Sequence, residues 1–136
     1  MATNRHGSVA YVTVRLSGSG SLDALLDLDG QVLVVDTAGR HWVKFSVQRI
    51  PATPEKPHGL NYSLTLHDQE GERFVGFDNA HPVRRMSGPA GRSRKTQDHK
   101  YRERTIRLYD YRDAATLLAD FWAEVDAVLQ ERGVIP

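Results

Sequence analysis

The sequence predicts an α+β fold: an antiparallel sheet of hairpins with a C-terminal amphipathic helix packed on one face. Three observations carry that expectation. Apolar and polar residues alternate through Trp42 to Ile50 and again from Tyr62 to Phe77, the period-two pattern of a half-buried strand. The clusters Asp36-Thr37-Ala38-Gly39 and Asp68-Gln69-Glu70-Gly71 supply turn chemistry between such runs. The last apolar stretch switches to steps of three and four residues, which line one side of a helix. Strands first and one helix last place that helix across an antiparallel sheet.

Taken in order, Val9 to Leu16 is rich in β-branched residues and reads as a strand, broken by Gly18-Ser19-Gly20. Ser21 to Asp29 fits both periods: Leu22, Leu25 and Leu26 suit a helix, Leu26 and Leu28 a strand. Gln31 to Val35 is a compact apolar run suited to a buried strand. Trp42 to Ile50 sets Val43, Phe45 and Val47 against Lys44, Ser46 and Gln48. Pro51, Pro54 and Pro57 then stiffen a connection that cannot enter a sheet interior. In the second hairpin Tyr62, Leu64 and Leu66 share one face. Arg73, Val75 and Phe77 share a face of the returning strand, with Phe74 and Gly76 opposite. Residues 82–97 have no usable hydrophobic period and read as a mobile basic loop. Thr105 to Tyr111 is a last short strand with Ile106 and Leu108 inward. Residues 113–132 are the helix: Asp113 is the N-cap, Ala114, Leu117, Leu118, Phe121, Val125, Val128 and Leu129 form its stripe, and Gly133 is the stop. Trp122 sits at the edge of that stripe and suits core or interface.

A chain of 136 residues fits a single domain spanning 1–136. It has no cysteine, which excludes disulfides and thiolate metal sites. No apolar run approaches the roughly 20 residues of a membrane helix, and polar Met1 to Ser8 lacks a signal-peptide core. These features predict a soluble cytoplasmic protein without a membrane partner.

The net charge of +1 is unevenly spread. Residues 84–112 carry 10 Lys/Arg against 3 Asp/Glu, a balance of +7, while residues 113–136 carry 1 against 5, a balance of −4. A basic segment inside a near-neutral chain is a candidate phosphate-binding surface or a solvated loop.

Two clusters bear chemistry. Phe77-Asp78-Asn79-Ala80-His81 ends a strand, and Asp98-His99-Lys100-Tyr101-Arg102 follows the basic segment. Each sets a carboxylate near an imidazole, beside cations. Together they suggest a phosphodiester site. His99 is the acid or base, because its side chain titrates near neutrality, and Asp98 or Asp78 orients it. Arg102 and Arg104 bind the scissile phosphate; Arg84, Arg85, Arg92, Arg94, Lys95 and Lys100 track the flanking backbone. Tyr101 donates a proton or stacks on a base. Asp78, Asn79 and His81 line the same pocket, provided the two clusters meet; the alternative for them is ordinary turn capping. His41, His58 and His67 read as sheet-surface or linker residues. Asp78, His81, Asp98 and His99 match no closed zinc pattern, so no metal and no cofactor is expected.

These clusters also carry a resemblance. Trp42-Val43-Lys44-Phe45-Ser46-Val47-Gln48-Arg49-Ile50-Pro51, His58-Gly59-Leu60-Asn61-Tyr62-Ser63-Leu64 and Gly71 through His81 are similar in order and spacing to TumE-type toxins. So are Asp98-His99-Lys100-Tyr101-Arg102, Tyr109 and Leu117-Leu118-Ala119-Asp120-Phe121. The resemblance covers residues 42–132 and leaves the N-terminal strand region, 1–41, outside it. It implies the toxin of a prokaryotic toxin–antitoxin pair, which arrests growth and has a cognate antitoxin, often a helix-turn-helix protein. RNA is the implied target, by metal-independent ribonuclease action or by non-catalytic binding to nucleic acid or the ribosome. Where the family reads Asp-His-x-His, this chain has Tyr101 in place of the second His. The acidic helix, with Asp120, Glu124, Asp126 and Glu131, offers a surface for an antitoxin or for a second copy in a homodimer. Charge complementarity favours the basic segment as the antitoxin's target.

Overall fold

The computed structural model describes residues 18–80 and 98–136. The predicted strand Val9 to Leu16, the segment 82–97, and with it His81, Arg84, Arg85, Arg92, Arg94 and Lys95, lie outside the described residues. The chain runs α1 (Gly18–Asp27), β1 (Val32–Val34), β2 (His41–Arg49), β3 (Leu60–Asp68), β4 (Arg73–Asp78), β5 (His99–Arg102), β6 (Thr105–Leu108) and α2 (Ala114–Glu131). The ambiguous stretch after Gly20 is therefore helical, as Leu22, Leu25 and Leu26 require.

Six antiparallel strands form one sheet in the order β1-β2-β3-β4-β5-β6, so each strand lies beside its neighbours in sequence. The register sorts side chains onto two faces. Val43 pairs with Leu66, Phe45 with Leu64 and Val47 with Tyr62. Leu64 and Leu66 in turn pair with Phe77 and Val75. All of these are buried. They meet the stripe of α2, where Ala114, Leu117, Leu118, Phe121, Trp122, Val125, Val128 and Leu129 are buried. Phe121 stands edge-on to Phe45 and Phe77, with ring centroids 5.8 and 6.0 Å away. Each large side chain buried this way contributes roughly 2 kcal/mol. Leu25 of α1 joins the same core. The ends of α2 are as expected: Asp113 Oδ1 accepts the Thr116 N–H at 2.7 Å, and Gly133 (φ +74°) donates to Gln130 O.

Three expectations need correcting. The run Gln31 to Val35 is the sheet's edge strand rather than a buried one. Val32 and Val34 pair with Lys44 and Trp42, which face away from the helices, so both valines are exposed and only Val35 is buried. The last strand ends at Leu108, and Ile106 and Leu108 do not point inward. They pair with Tyr101 and His99 on the face opposite the helices, and Tyr109 and Tyr111 beyond them turn back onto the core. Finally, Arg73 does not share a face with Val75 and Phe77. His67 pairs with Arg73 but Leu66 pairs with Val75, so Phe74 is an extra residue in β4. A one-residue bulge moves everything beyond it to the other face. Phe74 is buried, and Arg73 joins the face away from the helices.

Candidate functional site

β5 organises the chemistry. Four polar, charged residues gave it no readable strand pattern, yet it pairs on both sides, with β4 and β6. Successive strand residues point to opposite faces. Lys100 and Arg102 pair with Phe77 and Val75 and so face the helices, while His99 and Tyr101 pair with Asp78 and Gly76 on the far face.

On the far face the two sequence clusters meet. His99 lies directly across from Asp78, a relation that sets Cβ atoms about 5 Å apart. Both residues are buried. The Ala80 N–H donates to Asp78 Oδ1, which fixes the carboxylate at the end of β4. Asn79 has another task. Its side chain accepts the Tyr62 N–H and donates to Leu60 O, both at 2.8 Å, and its own N–H bonds Tyr62 O. Asn79 is fully buried and prolongs the β3–β4 ladder by imitating a strand.

Two residues along from His99, the Tyr101 ring lies against Gly76. A Cβ at position 76 would stand 2.3 Å from that ring, so any other residue there would displace it. The Arg73 guanidinium sits 4.4 Å from the ring centroid, a cation–π contact. The Tyr101 hydroxyl is buried and has no hydrogen-bond partner among the described residues. A groove there is lined by Arg73, Tyr101, Glu103, Arg104 and Ile106. Beyond it Trp42 stacks on His67, whose Nε2 bonds Thr65 Oγ1 at 2.8 Å. Burial pushes the His67 imidazole below its ordinary pKa, and Lys44 and Arg73 nearby act the same way.

The helix face holds a separate network. Asp98 Oδ2 accepts the Tyr62 hydroxyl at 2.7 Å and lies 3.0 Å from His58 Nε2. His58 Nδ1 accepts the Leu60 N–H at 3.3 Å, and its ring packs 4.3 Å from that of Tyr111. Burial, and then the Asp98 charge, push the Tyr62 hydroxyl far above its ordinary pKa. Burial raises Tyr111 to about 12. Burial and a 2.7 Å bond to Asp120 also raise Tyr109. Further along, Lys100 and Arg102 reach Glu124 at 3.9 and 3.6 Å, and Arg102 also pairs with Glu131. A second groove, between these residues, Arg104, Arg107 and α2, is mixed in charge.

The predicted site residues are thus divided. Asp78, His99 and Tyr101 share the far face. Asp98, Lys100 and Arg102 face the helices, and the Asp98 carboxylate goes to His58 and Tyr62. Arg104 lines both grooves from the β5–β6 turn. Among the described residues no three His, Asp or Glu side chains converge as metal ligands would. Two residues escaped the sequence reading. Arg73 was hidden by the bulge, which no pattern announced. His58 lies 40 residues from Asp98 and between Pro57 and Gly59, where it resembles linker.

The fold and the site define a small α+β protein with a histidine–carboxylate pair on the sheet face away from its helices. The family model for the toxin TumE matches residues 24–129, and the chain belongs to that family. The match starts within α1, so it takes in β1 and the last four residues of α1, which the resemblance from Trp42 onward had left out. Comparison with curated proteins and with solved structures gives no match. Membership makes this a toxin of a toxin–antitoxin system and implies an antitoxin as its partner. No helix among the described residues is long and apolar enough to cross a membrane.

Proposed function

We propose that this toxin arrests growth by cleaving RNA without a metal, at the far face of β4–β5. The reading is carried by one observation: the register that sets His99 across from Asp78 and puts Tyr101 on the same side. His99 and Tyr101 are two residues apart on one strand face, a span of about 7 Å that can flank a single phosphate. In this mechanism the RNA 2′-hydroxyl gives its proton to His99 as its oxygen attacks phosphorus. The bond to the 5′-oxygen breaks, and the Tyr101 hydroxyl supplies the proton that the leaving oxygen takes up. Asp78 steadies the imidazolium. Arg73 and Arg104 balance the charge that builds on the phosphorane. The products are a 2′,3′-cyclic phosphate and a 5′-hydroxyl. Asp98 and Arg102, first read as members of this site, serve here to hold β5 in place from behind. His81 and the basic residues of 84–95 flank the RNA in this reading.

A second reading, occupancy without cleavage, is favoured by the Arg73–Tyr101 stack, since an arginine on an aromatic ring is also a platform for bases. Induced expression of wild type and His99→Ala, each without antitoxin, separates the two. Growth arrest by wild type alone, with a 2′,3′-cyclic phosphate on cleaved RNA, is the expected result. Arrest by both, lost when Arg73 and Arg104 or the basic Arg92, Arg94 and Lys95 become neutral, would replace cleavage by binding.

A further inference from the structure

β6 is a free edge of the described sheet, and all four of its residues are exposed, Ile106 by 37% and Leu108 by 58%. The Tyr109 N–H donates to Asp98 O at 3.0 Å. In an antiparallel ladder, residues bonded to the partner alternate with residues whose amides point outward. Tyr109 sets that phase, so Thr105 and Arg107 bond toward β5, and the amide groups of Ile106 and Leu108 point to the free edge. Among the described residues no strand pairs with them. Side chains alternate as well. Ile106 and Leu108 lie on the far face and Arg107 on the helix face. Arg104 and Arg107 form no ion pair among the described residues.

We propose that the antitoxin binds this toxin by adding one extended strand to β6. The geometry selects its chemistry: apolar residues over Ile106 and Leu108, alternating with carboxylates beside Arg104 and Arg107. An RNA strand has no ladder of amides to offer the edge. A second copy pairing β6 with β6 about a two-fold axis, in the register that seats Ile106 against Leu108, would set Arg107 opposite its own copy, and like charges across strands repel. The added strand would lie next to Arg104 and Ile106, at the mouth of the far-face groove, so the same contact closes the toxin's site. That an antitoxin exists follows from family membership, and its docking here does not depend on RNA cleavage. Its assay contains no RNA, so it stands or falls apart from the cleavage reading.

The test is amide hydrogen exchange on the purified wild-type toxin, alone and with its cognate antitoxin, together with titration calorimetry of Leu108→Lys. Leu108 is exposed, so the lysine is accommodated in the fold. The expected result is at least 100-fold slower exchange at the Ile106 and Leu108 amides in the complex, and at least 10-fold weaker binding by Leu108→Lys. A complex that leaves both amides exchanging as before would overturn the proposal, whatever the variant does. So would failure of the wild-type pair to associate, or protection of the same amides in the toxin alone that grows with its concentration, since that would make a second copy the occupant.

Discussion

Asp98 and His99 are adjacent in the chain, yet they point to opposite faces of the sheet where β5 begins and belong to different constellations. Asp98 faces the helices, where Tyr62, His58 and Tyr111 enclose it in a network of fixed partners. His99 faces away, across from Asp78, on the same face as Tyr101, whose hydroxyl has no hydrogen-bond partner among the described residues. One histidine–aspartate pair has both ring nitrogens of its histidine bonded; the other adjoins a groove lined by Arg73 and Arg104. The difference teaches that proximity in sequence is a poor guide to chemistry within a strand. Residues i and i+1 have separate surroundings, while i and i+2 share one.

The comparison breaks most easily at Asp98. Asp98→Ala removes the acceptor of two buried donors, and we expect a loss of about 3 kcal/mol in urea denaturation. A loss under about 0.5 kcal/mol, the range of an ordinary surface change, would mean the helix-face network is not structural. Gly76→Ala tests the far face. Its methyl group displaces the Tyr101 ring and with it the Arg73 contact, for an expected loss of about 2 kcal/mol. Adding Tyr101→Ala should restore part of that stability, and an additive pair would refute the packing account. His99→Gln should cost about 1 kcal/mol or less while abolishing growth arrest; that gap between stability and toxicity separates the two pairs.

Alkaline pH sharpens the same contrast. Tyr62, Tyr109 and Tyr111 all have raised folded-state pKa values, burial being the first cause in each. A free tyrosine ionises near pH 10. The stability these groups supply is therefore fully present below about pH 10 and is lost as pH rises above it. Phenolate absorbance from these three should appear together with unfolding. Early ionisation of Tyr62 in the folded protein would contradict the enclosure of Asp98.

Most of the fold was legible because burial imposes periodicity. Val43, Phe45 and Val47 alternate, and the α2 stripe recurs every three or four residues, because each set packs against the other. The strands that failed to read correctly are those lacking a cover. In β1 and β6 the residues Val32, Val34, Ile106 and Leu108 lie on the far face and carry no inward signal. β5 is short and polar, and its strand character comes from its partners. The site was half legible. Asp78 and His99 were visible as cluster chemistry, and register brought them together. Arg73 was not, because an inserted Phe74 reverses the face of whatever lies beyond it and leaves no trace in composition. His58 was not, because its relation to Asp98 exists only once β3 and β5 have been placed.

The meander order of the sheet also sets a timetable for synthesis. Every strand pairs with one made just before or just after it, so the hairpins can close in turn while translation continues. The apolar side of the sheet depends on α2, which follows all six strands. Until Phe121 and its neighbours have been translated, Phe45, Leu64 and Phe77 lack their main cover, and the nascent toxin is a sticky half-structure. An antitoxin that recognises a strand edge rather than the finished core could therefore engage its target before the ribosome has let it go.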